Sequence, residues 1–183
     1  MTEQTDGTDG PKHLIRTSQL APDTAMVFRH PLNPKSEVHM HFLGRAVGME
    51  RAQLSLVRIP PGKESFVYHA HAAQEEFVFI LSGTGTAEIG ETTVEVGPGD
   101  YMGFPIDGVG HHLINSGDQD LVYLTGGEHT DVEIGHFARL GKWIIGRGDQ
   151  VAVVDDAHLT FKSIEDWLAE HADTDTDQDR DKR

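Results

Sequence analysis

The chain of 183 residues carries 30 acidic and 15 basic side chains and no cysteine, and its formal net charge is -15 at pH 7. This length suits one domain with a substantial core. Because the charge is strongly negative and no Lys/Arg cluster is present, we do not expect the protein to bind nucleic acid or anionic membranes. The lack of cysteine excludes a disulfide framework, a thiol nucleophile and a zinc–thiolate site.

The two ends of the chain are polar and have almost nothing to bury. Residues 1–12 contain mainly Thr, Asp and Gly, and residues 173–183 read DTDTDQDRDKR. We predict disordered tails at both ends. The amino terminus has no basic and apolar regions of a signal peptide, and no apolar run reaches about 18 residues, so we expect a soluble cytoplasmic protein.

Residues 13–50 are interrupted by prolines at positions 22, 31 and 34, which break any helix. Short apolar patches lie between the prolines. We predict an extended N-terminal arm that lies over the domain.

Residues 51–160 are predicted to form an all-β barrel with accessory strands. No interval between its β-rich runs is long enough for a crossover helix, which favours a jelly roll. Turns are predicted at Gly90-Glu91, at Gly97 to Asp100 and across Arg147 to Gln150. The eight runs between Ala52 and Thr125 are AQLSLVR, FVYHAH, EFVFIL, TAEI, TVEV, DYMGF, HHLIN and LVYLT.

Residues 161–172 are predicted to form a short C-terminal helix. Ser163 and Asp166 have the spacing of a capping box, and Ile164, Trp167 and Leu168 give the helix one apolar face. We expect this face to pack on the barrel.

Two histidines in the stretch GKESFVYHAHAAQEEFVFILSG are spaced for a metal site on a sheet. His69 and His71 are two residues apart, so in a strand both imidazoles point to the same side. Glu76 begins the next β-rich run and can add a carboxylate. A second His-X-His, at His39 and His41, has no carboxylate at strand spacing, and we read it as part of the arm or a loop.

A second stretch, GDYMGFPIDGVGHHLIN, contains another histidine pair and follows the first stretch along the chain. The two stretches resemble the two signature motifs of the cupin superfamily. The residues that match are His69, His71, Glu76 and Gly83 in the first motif and Gly99, Pro105, Gly108, His111 and Asn115 in the second. The loop from Gly62 to His69 and the loop from Pro105 to Gly108 are each one residue longer than the family pattern.

The resemblance implies a jelly-roll barrel, also called a double-stranded β-helix, in which one divalent metal is bound. By this likeness the ligands are His69, His71, Glu76 and His111. Three imidazoles and one carboxylate suit Mn, Fe, Co, Ni, Cu or Zn and leave one or two coordination positions open. Glu75 could replace Glu76, and His112 could replace His111, because each pair points to opposite sides of a strand; spacing favours Glu76 and His111.

Other candidates for a binding site are less specific. Aromatic side chains could line a pocket or fill the core, and core filling is the preferred interpretation; they are Phe66, Phe77, Phe79 and Phe104. Four basic residues could meet an anionic substrate, namely Arg51, Arg58, Lys63 and Arg139.

We expect an enzyme that acts on a small polar metabolite through the metal, of the isomerase, epimerase or lyase type, or a dioxygenase. No general acid or base can be named. The alternative is a non-catalytic, metal-dependent module that binds or stores a small molecule. A homodimer is also possible, because the apolar outer face of EFVFIL (Phe77, Phe79, Leu81) must be covered either by a second copy or by the N-terminal arm.

Overall fold

A computed structural model describes residues 11–171 of the chain. Most of the first predicted tail and all of the second lie outside the described residues. Within the described part, no helix is long and apolar enough to cross a bilayer.

The described residues form thirteen strands, two α-helices and four short 3₁₀ turns. The strands are β1 (Met26–Phe28), β2 (Val38–Phe42), β3 (Ala52–Ile59), β4 (Ala70–His71), β5 (Glu76–Ser82), β6 (Gly85–Ile89), β7 (Thr92–Val96), β8 (Tyr101–Phe104), β9 (His111–Ile114), β10 (Leu121–Glu128), β11 (Val132–Phe137), β12 (Lys142–Arg147) and β13 (Gln150–Asp155). The helices are α1 (Leu43–Ala46) and α2 (Ile164–His171), and the 3₁₀ turns are Thr17–Gln19, Pro22–Thr24, Ala138–Leu140 and Asp156–His158.

Three antiparallel sheets build the barrel. Their strand orders are β1-β2-β3-β10-β5-β8, β13-β12-β11-β4 and β7-β6-β9. An isolated bridge between His69 and His111 links the second sheet to the third. The predicted all-β jelly-roll barrel with a short C-terminal helix is confirmed.

The core lies between the six-stranded sheet and the three-stranded sheet. Val57, Ile59 and Ile80 come from the six-stranded sheet, and Ala87 and Leu113 come from the three-stranded sheet. On β5 the alternation is strict, since Val78 and Ile80 are buried while Phe79 and Leu81 are 36% and 41% exposed. Burying one Ile or Leu side chain completely contributes about 1.5–3 kcal/mol, so these few positions supply a large part of the stability.

The segment predicted as an arm contributes β1 and β2 to one edge of the six-stranded sheet. Because β5 lies near the opposite edge, the arm does not cover Phe79 and Leu81. A homodimer that covers this face stays a prediction.

The predicted turns agree with the observed hairpins. Ile89 pairs with Thr92 across Gly90, and Arg147 pairs with Gln150 across Gly148. Both glycines have a positive φ, 57° and 61°, which side chains with a Cβ rarely adopt.

The predicted strand FVYHAH is wrong over most of its length, because only Ala70 and His71 form a strand. The chain changes partner here: Ser65 and His69 bond to Leu113 and His111, and His71 then pairs with Gly135 of β11. A segment that crosses from one sheet to another cannot keep a continuous ladder.

The helix α2 begins with the predicted capping box, since the backbone N–H of Asp166 donates to Ser163 Oγ (3.0 Å). The expectation that its apolar face packs on the barrel is wrong. Ile164 is 78% exposed and Leu168 is 55% exposed. Helix amphipathicity shows which side chains share a face but not which surface covers that face.

Candidate metal centre

Four residues from three parts of the chain meet inside the barrel. His69 and His71 come from the crossing segment, Glu76 begins β5, and His111 begins β9. The backbones of His69 and His111 exchange two hydrogen bonds, of 3.1 and 2.8 Å, which hold the crossing segment against β9. Glu76 pairs with Gly127 of β10, where an added Cβ would lie 2.1 Å from the carbonyl oxygen of Glu75.

The donor atoms of the four side chains converge. One ligand atom from each of His69, His71, Glu76 and His111 lies within 4.8 Å of the others. Glu76 Oε2 is 3.0 Å from His71 Nε2 and 3.1 Å from His111 Nε2. The arrangement therefore presents ring nitrogens and a carboxylate oxygen to one point, and this donor set fits a first-row divalent metal.

The outward-facing atoms of the cluster are held by neighbours. His69 Nδ1 donates to the carbonyl oxygen of Val67 (2.8 Å), which leaves the lone pair on Nε2. Thr125 Oγ1 donates to Glu76 Oε1 (2.7 Å), so Oε2 is the oxygen that faces the histidines. The ring of Phe104 stacks on His111, with centroids 3.7 Å apart and planes 7° from parallel.

The pKa values of the cluster show how its charges depend on one another. Although burial acts to lower it, the carboxylates of Glu133 and Glu76 raise the pKa of His71 to about 9. Burial acts to raise the pKa of Glu76, but the hydrogen bonds from His111 and His71 hold it well below its usual value. Burial, with the neighbouring histidines, lowers the pKa of His69 to about 3. At neutral pH the metal-free cluster therefore holds an ionised Glu76, a neutral His69 and a protonated His71.

A cavity of about 360 Å³ lies against the cluster. His69, His71 and Glu76 form part of its wall. The rest of the wall includes residues of β1, β2, β3, β10, β11, β12 and β13. The cluster can thus be reached by a small molecule.

Comparison with known proteins agrees with this geometry. The family model described as a cupin domain matches residues 55–127. A crystal structure from Acidithiobacillus ferrooxidans, provisionally named a sugar phosphate isomerase, is 31% identical, with 83% of this chain and 97% of that chain covered and a TM-score of 0.78. The chain belongs to the cupin superfamily.

Other solved structures share the fold at lower identity. A protein from Silicibacter pomeroyi, named a sugar phosphate isomerase from a cupin superfamily, is 23% identical, with 79% of this chain and 97% of that chain covered and a TM-score of 0.67. The polyketide cyclase RemF from Streptomyces resistomycificus is 16% identical, with 86% of this chain and 94% of that chain covered and a TM-score of 0.51. No curated protein matches the chain.

The sequence left open whether Glu75 or Glu76, and whether His111 or His112, belongs to the ligand set of this cupin. The structure places Glu76 and His111 in the cluster. Glu75 is exposed, and His112 points to the other side of β9, where its Nδ1 lies 3.2 Å from Glu88 Oε2. Metal binding by the four clustered residues stays a prediction.

The second His-X-His motif lies outside the cluster. His39 is held on β2 between Glu37 (3.1 Å) and Arg58 (2.8 Å). Among residues 11–171, the one group of side chains spaced for a metal ion is the cluster around Glu76.

The aromatic and basic candidates divide between the cavity and other surfaces. Of the four phenylalanines considered from sequence, Phe66 lines the cavity, while Phe104 is buried beside His111. The four basic candidates do not line it. Three of them form ion pairs elsewhere, Arg58 with Asp120, Lys63 with Glu37 and Arg139 with Glu88.

Three side chains at the candidate site of this cupin were not predicted from the sequence. Thr125 orients Glu76, Glu133 lies 3.5 Å from His71 Nδ1, and His30 lines the cavity. Thr125 ends a predicted strand next to the core and could have been proposed from strand alternation. Neither His30 nor Glu133 belongs to a motif, and their positions depend on strand pairing that the sequence pattern does not specify.

Proposed function

We propose that this cupin is a metal-dependent enzyme of the isomerase, epimerase or lyase type that acts on a small molecule bound in the cavity. The observation that carries the proposal is the convergence of four donor atoms within 4.8 Å, with three of the four side chains lining a cavity of about 360 Å³. A cluster that only stabilised the barrel would not need to border a cavity of this size.

The residues proposed to hold the ion are His69, His71, Glu76 and His111. Their three nitrogens and one oxygen suit a single Mn, Fe, Co, Ni, Cu or Zn ion. Such an ion, when bound, supplies a Lewis acid for a substrate oxygen, because four protein ligands leave at least one position open.

The surrounding residues keep the proposed ligands in place. The carbonyl of Val67 fixes the tautomer of His69, and the hydroxyl of Thr125 fixes the carboxylate of Glu76. Glu133 lies within 3.5 Å of His71 Nδ1 and can accept its proton, which increases the basicity of the ring. These contacts reduce the rearrangement needed when an ion and a substrate bind.

Isomerase-type chemistry is supported by the name of the 31% identical relative from Acidithiobacillus ferrooxidans. Such a reaction moves a proton beside a carbonyl group whose oxygen is polarised. A dioxygenase is the competing reaction class for the same ligand set, and a non-catalytic binding module is the competing function.

The experiment that tests the proposal uses protein purified without a histidine tag, stripped of metal and reloaded separately with Mn, Fe, Ni or Zn. Each preparation is incubated with a panel of carbonyl metabolites, while isomer formation is followed by NMR and oxygen uptake by an electrode. We expect turnover with at least one metal, its loss in His111→Ala and its retention in His39→Ala. Tight binding of a panel compound without turnover would instead support a binding module, and oxygen uptake would support a dioxygenase.

A further inference from the structure

Carboxylates are the main charged groups in the lining of the cavity next to the cluster. Its described lining contains four carboxylates, Glu75, Glu76, Glu128 and Glu133. No Lys or Arg is among the described residues that line it. A phosphate group placed there would lose its hydration without gaining a Lys or Arg partner. The ring of His71 is already paired with Glu76 (3.0 Å) and Glu133 (3.5 Å).

Two of the basic side chains considered as phosphate partners are engaged elsewhere. Arg58 pairs with Asp120 at 3.0 Å, and Arg139 pairs with Glu88 at 2.7 Å. Arg139 also lies over the ring of Tyr68, 3.8 Å from its centroid. These residues cannot reach the cavity without breaking their present contacts.

Four phenylalanines, Phe28, Phe42, Phe66 and Phe137, are among the residues that line the cavity. Phe28 and Phe66 have ring centroids 5.2 Å apart, and both rings line the cavity. Phe66 and Phe137 each lie 6.4 Å from His69, in edge-to-face orientation. A flat apolar molecule can therefore contact these rings while one of its atoms lies beside the cluster.

The imidazole of His30 also lines the cavity. The backbone N–H of Leu32 donates to His30 Nδ1 (3.2 Å), so the neutral ring carries its proton on Nε2. Burial lowers the pKa of His30, which keeps the ring uncharged at neutral pH. His30 contacts three phenylalanine rings, those of Phe28 (6.1 Å), Phe66 (6.5 Å) and Phe137 (5.4 Å). The last two also contact His69.

We infer that the cavity selects an uncharged molecule with a flat apolar body and an oxygen donor, such as a phenol or an enol, and rejects phosphate esters. The oxygen lies at the cluster, the flat body lies against Phe28, Phe66 and Phe137, and His30 is the hydrogen-bond donor at the other side of these rings. The inference rests on the proposed function for the role of the cluster. The carboxylates disfavour phosphate esters and the aromatic walls favour the flat body, so both features contribute to selectivity.

The test compares phenol with phenyl phosphate, which differ only in the phosphate group. Binding to the zinc-loaded and the metal-stripped protein is measured by NMR titration. We expect phenol to bind at least ten times more tightly than phenyl phosphate in both forms, and to give nuclear Overhauser contacts to His30 and His69. Equal or tighter binding of phenyl phosphate by the metal-stripped protein, or no binding of phenol, overturns the inference.

Two substitutions examine the two sources of selectivity separately. Gln53→Arg adds a cation to the cavity wall and is expected to reduce the preference for phenol at least threefold. Phe28→Leu is expected to weaken phenol binding at least threefold, whereas the control Phe161→Leu, at a ring that is 76% exposed, leaves it unchanged. An unchanged preference in Gln53→Arg and unchanged phenol binding in Phe28→Leu would contradict the inference.

The metal content of every sample separates this inference from the proposed function. A protein that takes up no metal but prefers phenol contradicts the proposed function alone. A protein that binds metal and prefers phenyl phosphate in its metal-stripped form contradicts the inference alone.

Discussion

Asn115, at the end of the second motif, is expected to stabilise the barrel and not to touch the substrate. Its side chain is 0% exposed and makes three hydrogen bonds. Its Nδ2 donates to the carbonyl oxygens of Ile59 (2.7 Å) and Gln119 (2.8 Å), and its Oδ1 accepts from the N–H of Gly117 (3.1 Å). Asn115 thus joins the end of β3 to the turn after β9, the strand that begins with His111.

The substitution Asn115→Ala removes all three bonds and leaves two carbonyls and one N–H without these partners. At about 1 kcal/mol for each lost bond, the free energy of unfolding should fall by about 3 kcal/mol. For a chain of this size, the melting temperature should fall by about 6–12 °C.

The assay is urea denaturation of the metal-stripped protein followed by circular dichroism, with Ser116→Ala as the control. Ser116 is the exposed neighbour and makes one side-chain bond, to Thr86. The control should lose no more than about 1 kcal/mol. If the free energy of unfolding of Asn115→Ala fell by less than about 1 kcal/mol, these three bonds would not contribute substantially to the stability of the barrel.

Three further outcomes concern the cluster and the C-terminal helix. A metal ion must displace the proton of His71, whose pKa is raised to about 9. The affinity for chelator-buffered Zn²⁺ should therefore rise about tenfold per pH unit from pH 6 to pH 8. A rise below threefold over this range would contradict the displacement of a proton from His71. Thr125→Val removes the 2.7 Å bond to Glu76 and should weaken metal binding about tenfold in a competition assay; unchanged affinity would show that Glu76 does not need this donor. Ile164→Ala should change the free energy of unfolding by less than about 0.5 kcal/mol in urea denaturation, because this side chain is 78% exposed, and a loss above about 1.5 kcal/mol would mean that the helix is packed in solution.

The site is the part of this protein that sequence predicts best. His69, His71, Glu76 and His111 lie in two motifs whose internal spacing is short, so local backbone periodicity decides which side chains share a side. The structure brings these four together, even though His69 lies outside regular strand. The His-X-His spacing predicted the position of the His69 side chain correctly without a continuous strand, because the bridge between His69 and His111 holds this residue in a strand-like orientation.

The cavity could not be predicted from the same patterns. Phe28 and His30 lie in a proline-interrupted segment, and they reach the cavity because β2 pairs with β3 and carries β1 with it. Similarly, His39 meets Arg58 because these two residues are directly paired across β2 and β3. Register between distant strands depends on the assembled core, which a single sequence does not specify.

The metal content of protein purified without a histidine tag tests the central claim most directly. After incubation with Mn, Fe, Ni or Zn and removal of free metal, elemental analysis should find about one ion per chain. His71→Ala and His111→Ala should abolish this binding while circular dichroism shows an intact barrel, and His39→Ala should keep it. Less than about one tenth of an ion per chain with every metal would contradict the account.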